Sequence, residues 1–254
     1  MTVDSATDLS LAVLSDIHGN VRALEAVLGD IKQRGVDSII NLGDCVTSPL
    51  WPRETYEMLQ SLAMPTVRGN HDRWIGKLER GKLSPAGQFA HDALEALQRQ
   101  QLAALPPRLE LAGGILAVHG TPEDDSCYLL EEMVDGRLAP ARRQVLADRL
   151  KHRGEAGVVL CGHSHNQGLR LGPGGCLILN PGSVGCPVFA DSPAAPSLEY
   201  RSPHARYAIL TRRTGRWSAE MHAIDYDWVS AARRALENGR PDWAEAISTG
   251  TVGS

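Results

Sequence analysis

Short apolar runs, each closed by a patch of metal-binding side chains, recur between Leu9 and His165 of this 254-residue sequence. Four patches hold five of the 9 histidines: Asp16-Ile17-His18-Gly19-Asn20, Gly69-Asn70-His71-Asp72, His119-Gly120 and Gly162-His163-Ser164-His165. A fifth patch, Gly43-Asp44, closes another such run. Donors separated by tens of residues reach one ion only when a fold assembles them, unlike the compact ligand spacing of a zinc finger. Carboxylate and imidazole donors, with no cysteine in a ligand pattern, suit a pair of divalent ions such as Mn, Fe, Zn, Ni or Co. A carboxylate bridges two cations readily, and Asp44 is the only ionisable residue in its patch, so it is the bridging candidate.

The segments around the patches alternate. Leu9–Ser15, Val36–Leu42 and Pro65–Arg68 read as strands. Val21, Leu24, Val27, Leu28 and Ile31 recur at helical spacing, with Gly35 as a stop, and Thr55–Leu62 reads as a second helix. This β-α-β-α-β order argues for a parallel sheet with helices on both faces. Ligands of such sheets gather beyond the carboxyl ends of the strands, which is where Asp16, Asp44, Asn70, His119 and His163 fall. Ser84 opens a long helical segment that Pro106-Pro107 ends. Closer-spaced strands follow at Arg108–Leu111, Ile115–Val118, Gly157–Cys161, Leu169–Leu171, Cys176–Leu179, Tyr207–Leu210 and Trp217–Ile224. A helix is expected near Arg137–Leu150, and Gly113-Gly114 and Pro173-Gly174-Gly175 supply hairpin-type turns. Asp191–Pro203 reads as an exposed loop. The tail, residues 225–254, reads as helix Trp228–Leu236, a break at Asn238-Gly239 and a short final helix. The whole, 1–254, is expected to form one domain of two face-to-face sheets with helices outside.

Composition narrows the partners. A net charge of −4 leaves no basic footprint for stable nucleic-acid binding, although bound cations would leave a nucleotide substrate open. Five cysteines, an odd number without a C-x-x-C pair, argue against a disulfide framework and for a reducing compartment. Asp4 and Asp8 stand where a secretory leader carries positive charge, and no apolar stretch reaches membrane-spanning length. The expectation is a cytoplasmic protein with no membrane partner.

Any one patch is unremarkable alone: a helix cap, a turn, an Asx-turn or a strand end. Five in order are not. The series D-x-H, G-D, G-N-H-D, a strand-ending H-G and G-H-S-H resembles the calcineurin-like metallophosphoesterase superfamily over roughly residues 10–185. The turn Asn180-Pro181-Gly182-Ser183 resembles its small bacterial phosphodiesterases. The resemblance implies an α/β fold, a four-layer α/β/β/α sandwich of two mixed sheets. It implies one metal on Asp16, His18, Asp44 and His165 and a second on Asp44, Asn70, His119 and His163. His71 would be the catalytic histidine, oriented by Asp72.

The implied activity is hydrolysis of a small organic or nucleotide phosphodiester by metal-activated hydroxide, with manganese the favoured ion. A phosphomonoesterase or dinucleoside-polyphosphate hydrolase is the alternative, and a catalytically silent protein-binding scaffold the third reading. The presence of His71 and of every ligand type speaks against the scaffold. The superfamily's Ser/Thr protein phosphatases extend the Gly43-Asp44 patch to G-D-x-V-D-R-G. Here Gly43-Asp44-Cys45-Val46-Thr47-Ser48-Pro49 lacks that Asp and Arg, which points away from phosphoprotein substrates. A homo-oligomer is compatible with enzymes of this size.

Overall fold

Alternation along β1 (Leu9–Leu14) sets the layering of the molecule, because successive strand side chains face opposite ways. Leu11 and Val13 face one core and Ala12 and Leu14 another. The computed structural model describes residues 8–135, 137–188 and 201–251. A first sheet has the order β11-β10-β1-β2, in which β1 pairs parallel with β2 (Ser38–Asn41). It pairs antiparallel with β10 (Ala205–Arg213), which pairs in turn with β11 (Arg216–Ile224). The second sheet has the order β3-β4-β7-β9-β8. Its parallel centre is β4 (Ile115–Val118), β7 (Val158–Leu160) and β9 (Leu177–Pro181), flanked antiparallel by β3 (Arg108–Leu111) and β8 (Gln167–Leu171).

Leu11, Val13, Ile40, Ala208 and Leu210 of the first sheet meet Ile115, Ala117, Val158, Leu160 and Leu179 of the second in one buried cluster. The outer face of the first sheet is covered by α1 (Val21–Gln33), α2 (Pro52–Leu62), α4 (Pro85–Ala93), α5 (Ala96–Ala103), α7 (Trp228–Glu237) and α8 (Pro241–Thr249). The outer face of the second sheet packs Leu116, Val118, Val159 and Ile178 against Leu146 of α6 (Arg143–Arg149). The order helix, sheet, sheet, helix is the four-layer sandwich. No described helix is long and apolar enough to cross a membrane.

Four local readings change. Pro65–Arg68 makes only one parallel bridge, Thr66 to Asn41, because the Arg68 N–H turns away to the Pro106 carbonyl. The segment opened by Ser84 splits: Leu94 leaves helical geometry to become buried, and Glu95 caps α5 with Gln98 bonding back to its N–H. Arg99 takes up the carbonyls of His91 and Leu94 at the break. The helix expected near Arg137–Leu150 begins only at Arg143. Its first residues form β6 (Arg137–Pro140), paired with β5 (Glu131–Val134), and Glu132 binds the Arg142 guanidinium and N–H ahead of α6. A helix not anticipated, α3 (Asn70–Lys77), starts within the third patch. The loop expected at Asp191–Pro203 lies for the most part outside the described residues.

Candidate metal centre

Five of the nine non-glycine residues with positive φ among the described residues are candidate ligands: Asp16 (54°), His18 (45°), Asp44 (57°), His163 (68°) and His165 (59°). This left-handed geometry is costly for side-chain-bearing residues and persists only where the surroundings enforce it. Here the loops are laced together. The Asp16, His18 and Gly19 N–H groups donate to the Gly43, Asp44 and Cys45 carbonyls at 2.9, 2.9 and 3.0 Å, and the Gly162 N–H donates to the His119 carbonyl at 2.7 Å. Ser183 Oγ donates to the Asp16 carbonyl at 2.7 Å, which explains the turn after β9. Gly69 is obligatory for packing: a Cβ there would lie 2.1 Å from Asp44 Oδ1.

Each aspartate is pinned by one oxygen. Asp16 Oδ2 accepts from the His163 N–H at 3.1 Å, and Asp44 Oδ1 from the His71 N–H at 2.9 Å. The other oxygens, Asp16 Oδ1 and Asp44 Oδ2, are buried without a hydrogen-bond partner among the described residues. Three imidazoles are fixed from behind. His18 Nδ1 lies 2.9 Å from the Thr47 carbonyl, His119 Nδ1 2.8 Å from that of Leu42, and His165 Nδ1 2.5 Å from that of Cys186. Against a carbonyl each Nδ1 donates its proton, so each Nε2 is turned into the site as a ligand atom.

Those Nε2 atoms converge on the free oxygens. His165 Nε2 is 3.2 Å from Asp16 Oδ1, and His119 Nε2 is 3.2 Å from Asp44 Oδ2 and 3.0 Å from Asn70 Oδ1. His18 Nε2 lies 3.1 Å from His165 Nε2 and 3.8 Å from Asp44 Oδ2. His163 stacks on Tyr128 at 4.7 Å and leaves its Nδ1 buried with no hydrogen-bond partner among the described residues. Two donor groups result, Asp16 with His18 and His165, and Asp44 with His119 and His163, each with ligand atoms within 4.8 Å of one another.

Electrostatics agree with cation binding. Burial opposes charge on both aspartates, yet His165 holds Asp16 down at about 2, and His119 and His71 hold Asp44 well below the carboxylate range. Burial would likewise discharge the imidazoles, but Asp44 raises His119 to about 9 and Asp16 raises His165 to about 10. Burial and the neighbouring His165 push His18 to about 4; burial and His119 do the same to His163. Each group thus demands one positive charge beside its carboxylate. Unpaired buried oxygens and imidazole lone pairs in this arrangement fit divalent cations.

The sequence profile of the calcineurin-like phosphoesterase superfamily domain matches residues 9–202. The chain belongs to that superfamily. This phosphoesterase is 27% identical over 259 residues to an uncharacterised protein of Methanocaldococcus jannaschii, covering 92% of this chain and 94% of the relative. A metallophosphoesterase from Sphaerobacter thermophilus shares its structure with a TM-score of 0.72 at 26% identity, over 96% of this chain and 100% of that one. A hypothetical protein from Pyrococcus horikoshii shares the fold with a TM-score of 0.73 at 20% identity, over 96% and 99%. Membership places the chain among metal-dependent hydrolases of phosphoesters.

All seven expected ligands, Asp16, His18, Asp44, Asn70, His119, His163 and His165, lie in this one buried centre. His71 stands half-buried at its rim, its ring edge-on to His18 at 5.3 Å. Asp72 differs from expectation. Its carboxylate does not bond the His71 ring; it accepts from the N–H groups of Gly69, Asp44 and Cys45 at 2.9, 2.9 and 3.0 Å. It fastens the Asp44 loop to α3. His91, His152, His204 and His222 pair elsewhere, with Asp92, Glu123, Ser202 and Tyr207. Sequence reasoning named Ser183 within the turn after β9 but did not single out Tyr128 or Trp243 (ring 6.3 Å from His18), since no motif spacing marks a residue that supports a ligand from behind.

Proposed function

We propose that the chain is a two-metal phosphodiesterase acting on small organic or nucleotide diesters. The observation that carries this is Asp44 Oδ2, an unpartnered buried oxygen within 3.2 Å of His119 Nε2 in one donor group and 3.8 Å of His18 Nε2 in the other. In this reading Asp16, His18, Asp44 and His165 hold one cation and Asp44, Asn70, His119 and His163 the second. Manganese is the expected ion, and Fe, Zn, Ni and Co suit the same donors. Two cations held by these residues would supply Lewis acidity that lowers the pKa of water and polarises phosphoryl oxygens.

The chain's own groups complete the chemistry. His71, at the rim and reachable from solvent, donates a proton to the departing oxygen. Asp72 is a positioning residue, holding Asp44 and the start of α3 in register. Diester is favoured over monoester by charge. The two arginines that flank the third patch, Arg68 and Arg73, are both turned to Asp125, Arg73 at 2.6 Å and Arg68 at 3.6 Å. Asp125 thus offsets positive charge that the second negative charge of a monoester would draw on. Five free cysteines suit a reducing cytoplasm, and the partner is a small phosphoester.

The test is turnover of bis(p-nitrophenyl) phosphate and p-nitrophenyl phosphate by metal-stripped protein, with and without added Mn²⁺. The expected result is Mn²⁺-dependent hydrolysis with kcat/KM for the diester at least about tenfold above that for the monoester. A preference for the monoester, or equal activity without metal, sinks this reading.

A further inference from the structure

Beside the metal centre lies a cavity of about 220 Å³ whose inner wall is His71 and Thr47 and whose remaining walls include Trp74, Leu78 and Leu83, with Lys82 at its lip. It adjoins the reacting position through both inner-wall residues. The Thr47 carbonyl holds His18 Nδ1, and the His71 ring packs edge-on to His18. Trp74 stands against His71 with ring centroids 4.9 Å apart, and Arg73, clamped by Asp125, lies 5.8 Å from the Trp74 ring centre and steadies it. A wall so braced is preorganised for binding, which lowers the ordering cost of a ligand.

Thr47 adds an independent observation. The residue is 98% buried, and its Oγ1 has no hydrogen-bond partner among the described residues. A buried hydroxyl without a partner is expensive to maintain unless a ligand or ordered water satisfies it. The cavity is smaller than those that enclose whole drug-sized ligands, roughly 300–1,000 Å³, so it takes a piece of a substrate. Its indole and leucine walls favour a flat ring over a sugar or a charged group.

We propose that this cavity receives a heteroaromatic ring carried by the departing group of the diester. Trp74 is its ring-binding wall, and the Thr47 hydroxyl pairs with a polar atom on the ring's edge. The inference rests on the phosphodiesterase reading for the direction of departure, since His71 at the inner wall is the proton donor to the departing oxygen. It makes Trp74 and Thr47 specificity-determining residues and narrows the substrate class to diesters with a nucleobase-like or related aromatic group on that side.

Direct binding to Mn²⁺-loaded protein, measured by calorimetry, tests it apart from turnover. Methylphosphonate, benzylphosphonate and (pyridin-3-yl)methylphosphonate are the probes, because their carbon–phosphorus bonds resist hydrolysis. Wild type should bind benzylphosphonate at least about tenfold more tightly than methylphosphonate. Trp74→Ala should collapse that ratio to within about threefold, and Trp74→Phe should retain most of it. Thr47→Val should erase any advantage of the pyridyl probe over the benzyl probe. Metal content of every variant is measured alongside. Equal affinity of wild type for methyl- and benzylphosphonate overturns the assignment, as does an undiminished ratio in folded, metal-replete Trp74→Ala. A ring preference in protein that fails to hydrolyse diesters supports the cavity and sinks the phosphodiesterase reading instead.

Discussion

His119 shows how neighbours commit a side chain to one task. Its Nδ1 donates to the Leu42 carbonyl, so only Nε2 faces Asp44 and Asn70. His18 and His165 repeat the device on other carbonyls. The ligand types were legible in the sequence because the chemistry demands Asp, His and Asn themselves. Their carbonyl partners were not, since any residue supplies a carbonyl. Asp72 marks the same boundary: its acidity was legible, but its three backbone donors depend on how α3 meets the Asp44 loop. His71 carries the sharpest prediction at this scale. As proton donor, its replacement by Ala should lower kcat by about 10²–10⁴ for diesters with alkoxide departing groups. p-Nitrophenolate needs little protonation, so bis(p-nitrophenyl) phosphate should lose far less. Equal losses, measured on both substrate types at matched metal content, remove His71 from that role.

Elements place these residues, and their legibility followed their periodicity. The amphipathic face of α1, with Leu24, Val27 and Ile31 buried, has the spacing that predicted it. Helix α3 was hidden because Asn70-His71-Asp72 reads first as a ligand patch, and the break between α4 and α5 because Leu94 suits a helix and a buried bend alike. β6 was hidden by its own sequence, whose apolar spacing runs on into α6, and only pairing with β5 makes it a strand. One clamp between elements is testable by pH. Asp30 of α1 accepts from Arg34 at 2.7 Å and from the Tyr207 hydroxyl of β10 at 2.5 Å. Burial works to raise its pKa, but these bonds prevail and hold it below 3.8. A depressed carboxylate pKa stabilises the fold above the unfolded value and loses that contribution as pH falls through the folded one. Asp30→Asn should therefore lower the melting temperature by about 2–4 °C at pH 7 and by less at pH 3. An equal or larger loss at pH 3, in thermal denaturation by circular dichroism, contradicts the clamp.

At the scale of the whole molecule, the strand ends of both sheets meet at one rim: Asp16 and Asp44 follow β1 and β2, and His119 and His163 follow β4 and β7. The two-sheet architecture was legible through the five ordered patches. The sheet orders were not, because β1 pairs with β10 across nearly the whole chain and pairing at that distance leaves no local pattern. The sandwich also explains why Asp44 is central: its free oxygen lies 3.2 Å from His119 and 3.8 Å from His18, imidazoles of both donor groups, while the free oxygen of Asp16 spans the two groups less closely, 3.2 Å from His165 and 4.0 Å from His119. Metal stoichiometry therefore tests the shared centre most directly, by mass spectrometry of stripped protein reloaded with Mn²⁺, comparing wild type with Asp44→Asn. The expected result is two equivalents per chain in wild type and loss of at least one in the variant, with diester turnover lost alongside. Two tightly held equivalents in Asp44→Asn, or only one in wild type, would contradict a two-metal centre bridged by Asp44.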